Sequence, residues 1–274
     1  MPAGDTGTTG GGLGHPRVHL RVTDSTNERA RELALAGAPH GTLVTAAEQT
    51  AGRGRQGRSW VAPAGGALLC SLVLRPSPPS CVPATFDRPP ALLSLIAGVA
   101  VCDAVEVEAR LKWPNDVVVE ATGTPTSSAA SRDDAPSGAD PASVPTFAKL
   151  AGILVEGRPQ ENWAVLGIGV NVAVRRDDLP AELREHAASL GLPSSAIEPT
   201  LQRLIEALQR RLAEPAETVL EAWRERDALL GRAVVWAGGE GRAHGIDDAG
   251  RLLVRLASGA IATLDAGEVH LGRI

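Results

Sequence analysis

TLVTAAEQTAGRGRQGRSWVAPAGGALLCSLVL, Thr42 to Leu74, sets two apolar runs on either side of a loop that alternates glycine with arginine. TLVTAAE, Thr42–Glu48, and ALLCSLVL, Ala67–Leu74, have the length and aliphatic content of strands, so the loop joins one strand to another. Glycine lets a backbone approach a ligand closely and take positive φ, while arginine presents a planar fork of donors suited to phosphate and carboxylate. The loop therefore points to an anionic ligand.

Three look-alikes fail on context. Gly52, Gly54 and Gly57 satisfy G-x-G-x-x-G, but the dinucleotide fingerprint needs a helix next and an acidic residue about 20 positions on. Here a strand follows, and the region around Ser77 is proline-rich without a carboxylate. A protein-kinase glycine loop also lies between strands, yet no H-R-D or D-F-G element follows, and no P-loop occurs anywhere in the chain. An RGG-type RNA segment would sit in low-complexity sequence with aromatics to stack bases, whereas this chain has no Tyr, two Phe and a formal net charge of −5.

Working outward, 274 residues that are 43% hydrophobic and 22% charged can bury a sizeable core. The acidic balance gives no general attraction to nucleic acid. No apolar run reaches the roughly 18 residues that span a bilayer, and no signal core follows the start, so a cytoplasmic location is the expectation. Cys70, Cys81 and Cys102 have no C-x-x-C spacing, and the six histidines no H-E-x-x-H motif; neither a disulfide framework nor a protein-held transition metal is expected.

Residues 1–16 are rich in Gly and Thr and read as a disordered tail; 17–230 read as one catalytic domain and 231–274 as a small all-β unit. Ser25 to Glu28 form an S-x-x-E capping box before a helical run containing Leu33 and Leu35. ALLSLIAGVAVCDAV, Ala91–Val105, is apolar nearly all round and reads as a buried helix. LKW and DVVVE are strands separated by a Pro114-Asn115 turn; AKLAGILVE and WAVLGIGVNV are two more, and Leu201–Leu212 and Val219–Leu230 are helices. Between the two strand pairs, residues 121–146 lack large apolar side chains and read as a flexible insertion. RAVVWA, RLLVRLA and AIATLDA, punctuated by glycines, are the strands of the C-terminal unit. The fold class is α+β, a mixed sheet backed by helices with a small β-barrel.

LKWPNDVV, Leu111–Val118, sets a lysine and a carboxylate across a tight turn. KLAGILVE, Lys149–Glu156, starts a strand with lysine and places Gly152 three residues on; GIGVNV, Gly167–Val172, leaves two gaps in a strand's side-chain surface. Each alone is a common structural feature. Together with STN and AEQTAGRGRQGRSW, in this order, they closely resemble the biotin protein ligases, and the resemblance runs from about Val18 to Ile274. It implies the biotin/lipoate ligase-like catalytic fold with an SH3-like C-terminal domain; lipoate ligases share the fold without this set of motifs.

The resemblance also implies a reaction. Such ligases join the biotin carboxylate to the α-phosphorus of ATP, with Mg2+ bridging phosphate oxygens, and pass the acyl group from biotinyl-5'-AMP to a lysine of a biotin carboxyl carrier domain of acyl-CoA or pyruvate carboxylases. By motif match, Lys149 contacts the biotin carboxylate and the α-phosphate and is the main electrostatic catalyst, aided by Arg55. Ser25, Thr26, Asn27, Gln49, Arg53, Gly54 and Gly152 complete the biotin site. Arg53, Arg55, Arg58, Trp60, Lys112, Asn115 and Asn171 border the adenylate, and Asp116 borders the magnesium. Gly52 and Gly57 are expected to let the loop order itself over the ligand.

Two departures stand out. About 26 extra residues separate the K-W-P-N-D and K-L-A-G-I-L motifs, which costs little closure entropy at about 0.6 kcal/mol per doubling of a loop. A helix-turn-helix domain, which precedes the catalytic motifs in some members, has no counterpart ahead of Ser25, so no operator binding is expected. Exposed sheet edges could pair two subunits into a homodimer, which no sequence feature decides.

Overall fold

The computed structural model describes residues 12–75, 90–120, 147–158, 162–265 and 269–272. Cys81, the tail as far as residue 11 and the insertion at 121–146 lie outside them. A seven-stranded mixed sheet is built from β1 (Arg17–Leu20), β2 (Leu43–Ala46), β3 (Ala67–Leu74), β4 (Arg110–Lys112), β5 (Asp116–Glu120), β6 (Phe147–Arg158) and β7 (Trp163–Asn171), in the order β1-β2-β3-β7-β6-β5-β4. β1 and β2 run parallel and the other neighbours antiparallel.

Side-chain alternation splits each central strand between two faces. Leu68, Cys70, Leu72 and Leu74 of β3 join Leu166, Ile168 and Val170 of β7 in the main core, while Val73 and Val165 pack on the opposite face with Ala30 and Ala34. The main core is completed by α2 (Pro90–Ala104), α4 (Ile197–Ala213) and α5 (Ala216–Arg224). α2 is the apolar helix read from the sequence; it lies between the sheet and the other two helices, so Leu93, Ile96 and Val99 are each at most 1% exposed. Truncating one of these to Ala costs about 2–5 kcal/mol. α1 (Thr26–Leu35) covers the second face, and a single turn, α3 (Ala181–Arg184), follows β7.

The C-terminal sheet has five antiparallel strands, β8 (Ala233–Trp236), β9 (Gly239–Ile246), β10 (Leu252–Arg255), β11 (Ile261–Leu264) and β12 (His270–Leu271), in the order β11-β10-β9-β8-β12. It is the small SH3-like unit expected. Val234, Ala243, Ile246, Leu252 and Val254 belong to the same buried cluster as α2 and α5, and Trp113 Nε1 donates to the Gly250 carbonyl at 3.0 Å, so the two sheets share a core.

Several local readings are corrected. Of the expected tail, Leu13 and Gly14 are buried, and Gly14 N–H bonds the Gly41 carbonyl at 2.9 Å. Ser25 occupies the N-cap position of α1 with extended backbone, but its side chain makes no capping hydrogen bond. Gln49 Oε1 takes that place from across the sheet, accepting from Thr26 N–H at 2.7 Å. The helix read as Val219–Leu230 begins earlier, at Ala216, and stops at Arg224, because Arg226 and Ala228 leave it to bond Leu111 of β4. β1, β9 and β12 are strands beyond those expected from the sequence; GEGRAHGI of β9 is polar and glycine-rich, with no alternation to give it away.

Candidate active site

A cavity of about 510 Å³ opens on the sheet face not occupied by α2. Ser25, Thr26, Asn27, Gln49, Arg53, Gly54, Arg55, Arg58, Trp60, Lys112, Asn115, Asp116, Lys149, Gly152 and Asn171 all line it. The structure thus brings together every candidate residue taken from the sequence.

A register slip builds the floor. Asp116 pairs with Gly152 and Val117 with Ala151, but Val118 pairs with Lys149, so Leu150 is the extra residue of a bulge. Without it, Lys149 and Gly152, three positions apart, would point to opposite faces; with it both share the face of Asp116. Lys149 Nζ then lies 2.7 Å from Asp116 Oδ1 and 5.6 Å from the centre of the Trp60 ring. Its main chain is fixed as well, the N–H donating to the His186 carbonyl at 2.7 Å.

The gaps in β6 and β7 are filled by neighbours. A Cβ at Gly169 would lie 2.7 Å from the Trp60 ring, one at Gly152 would lie 3.0 Å from it, and one at Gly167 would lie 1.9 Å from Asn27 Oδ1. Trp60 and Asn27 therefore sit flat on the sheet where any other residue would push them off. Asn27 is held at both ends: Oδ1 lies 2.6 Å from the Ser71 hydroxyl, and Nδ2 donates to Glu156 at 2.8 Å. The Ser71 oxygen is also 2.8 Å from Thr26 Oγ1, and its single proton goes to one of these two acceptors; Thr26 in turn donates to Gln49 Oε1 at 3.0 Å.

The Gly/Arg loop forms the roof as a short hairpin. Gly54 N–H bonds the Arg58 carbonyl at 2.7 Å, Trp60 N–H bonds that of Gly52 at 2.9 Å, and Arg53 bridges Ser59. Gly57 has φ +75, as a tight turn demands, and Gln56 shares that left-handed region at φ +54. Gly52 has a different reason to be glycine than the flexibility expected of it: a Cβ there would meet the Trp60 carbonyl at 2.4 Å. Arg55 reaches across to Asn115 Oδ1 at 3.3 Å, and Asn115 Nδ2 is anchored on the Ile153 carbonyl at 2.9 Å. Arg53 turns to two carboxylates, Glu28 at 2.9 Å and Glu156 at 3.1 Å. Arg31 first and Arg53 second hold the Glu28 carboxyl below its ordinary range.

Asn171 is 5% exposed; its Nδ2 donates to the Ala188 carbonyl at 2.8 Å, and among the described residues its Oδ1 has no partner. Trp60 Nε1 is likewise buried and unpartnered among them. Cys70 also lines the cavity, but burial pushes its thiol up to about 12, which keeps it protonated and unreactive at neutral pH.

Sequence reasoning missed Glu28 and Glu156 as partners of Arg53, Ser71 behind Asn27, and His270 and Leu271, which bring β12 of the second sheet to the cavity wall. Glu156 was legible in outline, since Gly152, Leu154 and Glu156 alternate onto one face. His270 carried no signal, lying 83 residues beyond Ala187, the cavity-lining residue before it in the sequence.

Known ligases share this fold. Over 94% of this chain and 99% of the other, the structure is similar to a biotin protein ligase from Aquifex aeolicus in complex with biotin and ATP, with a TM-score of 0.69 and 26% identity. A biotin--[acetyl-CoA-carboxylase] ligase from Paracoccus denitrificans is 33% identical over 92% of this chain and 99% of its own length. A bifunctional ligase/repressor BirA from Bacillus spizizenii is 30% identical over 95% of this chain and 75% of its own. The class is thus an enzyme of the ligase type. More narrowly, the chain belongs to the biotin/lipoate A/B protein ligase family, whose pattern matches residues 19–172, with a biotin protein ligase C terminal domain matching residues 230–272.

Proposed function

We propose that this enzyme activates biotin with ATP to biotinyl-5'-AMP and pyrophosphate, then transfers the biotinyl group to one lysine of a biotin carboxyl carrier domain of an acyl-CoA or pyruvate carboxylase. The observation that carries the reading is the convergence of a polar wall, a paired lysine and a hairpin of arginines on a single cavity of about 510 Å³.

In the first step a biotin carboxylate oxygen attacks the α-phosphorus while the bond to pyrophosphate breaks, so two anions must meet and charge builds on phosphorus. Lys149 is the electrostatic catalyst. Asp116, 2.7 Å away, fixes its ammonium before substrates arrive, which is the preorganisation that makes a charge effective. Arg55, Arg58 and Lys112 share the phosphate charge. Ser25, Thr26, Asn27, Gln49 and Gly152 seat biotin, with Arg53 and Gly54 in the roof. Trp60, Asn115 and Asn171 border the adenylate, and the unpartnered Asn171 Oδ1 supports an acceptor role toward an amino group. In the second step the carrier amine attacks the acyl carbon, AMP departs with the bonding electrons, and the amine proton passes to solvent.

Magnesium accompanies ATP in this reading. Among the described residues no three His, Cys, Asp or Glu side chains cluster, and Asp116 is already paired with Lys149, so the residues suit an ion carried in by the nucleotide with Asp116 as its single carboxylate neighbour. Bound there, the ion would neutralise phosphate oxygens.

The net charge of −5 supports a ligase without operator binding, and a gel shift with promoter DNA checks that. A cytoplasmic site of action is part of the same proposal; among the described residues no helix is long and apolar enough to cross a membrane. The central test is pyrophosphate exchange into ATP with biotin, with lipoate and with no acid. Exchange with biotin alone is expected; exchange with lipoate alone moves the substrate to the sister class.

A further inference from the structure

Arg53 was expected to face the ligand, yet its guanidinium is gripped at both ends by the protein's own carboxylates. Nη1 lies 2.9 Å from Glu28 on α1, and Nη2 lies 3.1 Å from Glu156 on β6. We propose that Glu28 and Glu156 are positioning residues that latch the Gly/Arg hairpin over the cavity through Arg53, so that the enzyme retains its acyl-adenylate between the two half-reactions; this rests on the proposed function.

The hairpin moves as one body, because its own strands are joined at Gly54–Arg58 and Gly52–Trp60. Holding Arg53 therefore holds Arg55 against Asn115 on the far wall and Trp60 on the sheet. A planar guanidinium held from two separate elements fixes direction as well as distance. Glu156 also accepts from Asn27 Nδ2 at 2.8 Å, and Asn27 forms the wall at Gly167. One carboxylate thus ties the biotin wall to the roof, and a ligand that orders Asn27 also orders the latch. The side chains are 46%, 24% and 25% exposed for Arg53, Glu28 and Glu156, so the latch is within reach of solvent ions and opens more readily as salt screens it.

The test uses the full chain and synthetic biotinyl-5'-AMP. Its dissociation rate is measured by stopped-flow chase on tryptophan fluorescence, for the wild type, Glu28→Gln and Glu156→Gln, at low and high salt. Each variant is expected to release the adenylate about tenfold faster, and the wild-type rate is expected to rise with salt while the rate for Glu28→Gln rises less. Adding Arg53→Gln to the double variant Glu28→Gln with Glu156→Gln should give little further acceleration, because both contacts are already broken. Pyrophosphate exchange in Glu28→Gln should fall by a smaller factor than release rises, a split that general loss of structure would not give. Unchanged release in both variants overturns the latch, as does acceleration that only follows a fall in melting temperature. If the wild type does not bind biotinyl-5'-AMP at all, the proposed function falls and the latch with it.

Discussion

Substituting Gly167→Ala would put a methyl carbon 1.9 Å from Asn27 Oδ1 and 2.7 Å from its Cγ, so the amide must leave its place. It gives up a bond to the Glu156 carboxylate at 2.8 Å and its contact with Ser71 at 2.6 Å, in a setting where Asn27 is 4% exposed. A hydrogen bond to a charged group contributes about 1.5–3 kcal/mol and a neutral one about 1. Against that, replacing a strand glycine lowers the entropy of the unfolded chain and offsets about 0.5–1 kcal/mol. The net loss is about 2–3 kcal/mol, which for a domain of this size lowers Tm by about 5–10 °C. Thermal unfolding followed by circular dichroism reads the shift, and a parallel titration with biotin reads the wall. Shortening the neighbour in the double variant Gly167→Ala with Asn27→Ser removes the overlap; most of the Tm should return, while biotin binding should not. A Tm within about 2 °C of wild type for the single variant, or an equal loss in the double, would refute the argument that β7 carries glycine there to admit Asn27.

Lys149→Ala is expected to slow pyrophosphate exchange about 100- to 1,000-fold, the scale for losing one preorganised charge, while the partly exposed pair with Asp116 costs only about 1 kcal/mol of stability; a Tm drop beyond about 5 °C would reassign Lys149 to packing. Asp227 offers a pH test. Burial pushes its carboxyl up to about 6 from 3.8, so the folded state holds a proton that the unfolded chain has released between those values, and stability falls as pH rises across that window. Asp227→Asn keeps an acceptor for Leu229 N–H and should be more stable than wild type by about 1–3 kcal/mol above about pH 6, with the gain vanishing below about pH 4, as unfolding at a series of pH values would show. Lys112 and Lys149 are the only lysines in the sequence and both line the cavity, so after incubation with biotinyl-5'-AMP, mass spectrometry should find no biotin on any surface side chain; Arg175→Lys, at a position whose side chain is 78% exposed, should acquire one.

The strands were legible where burial imposes a pattern. ALLCSLVL is buried along its whole length, and its β3 bounds are those read from the sequence, because a central strand has no solvent-facing residue to blur its ends. At sheet edges and in the small unit that pressure is absent: β1 alternates between half-buried and exposed side chains, and β9 mixes three glycines with charges. Local rules failed where a distant residue competes. S-x-x-E predicted a capping box, but Gln49 lies close enough to supply the cap and Arg53 draws Glu28 away, two contacts spanning more than twenty residues that no window over Ser25–Glu28 contains.

The site follows the same division. Its residues were legible because the motifs carry them, yet the geometry that makes them act as one site rests on features that a sequence hardly displays. The clearest is the bulge at Leu150. KLAGILVE read as a regular strand would place Lys149 on the core face if Gly152 faces the cavity, burying an ammonium among Val117, Ile153 and Ile168. An unpaired charge there is far costlier than one extra residue in a ladder, so the strand slips, Leu150 takes the core position at 0% exposure, and Lys149 emerges on the face of Asp116. The desolvation cost of one lysine thus decides the register, and the register aims its charge into the cavity.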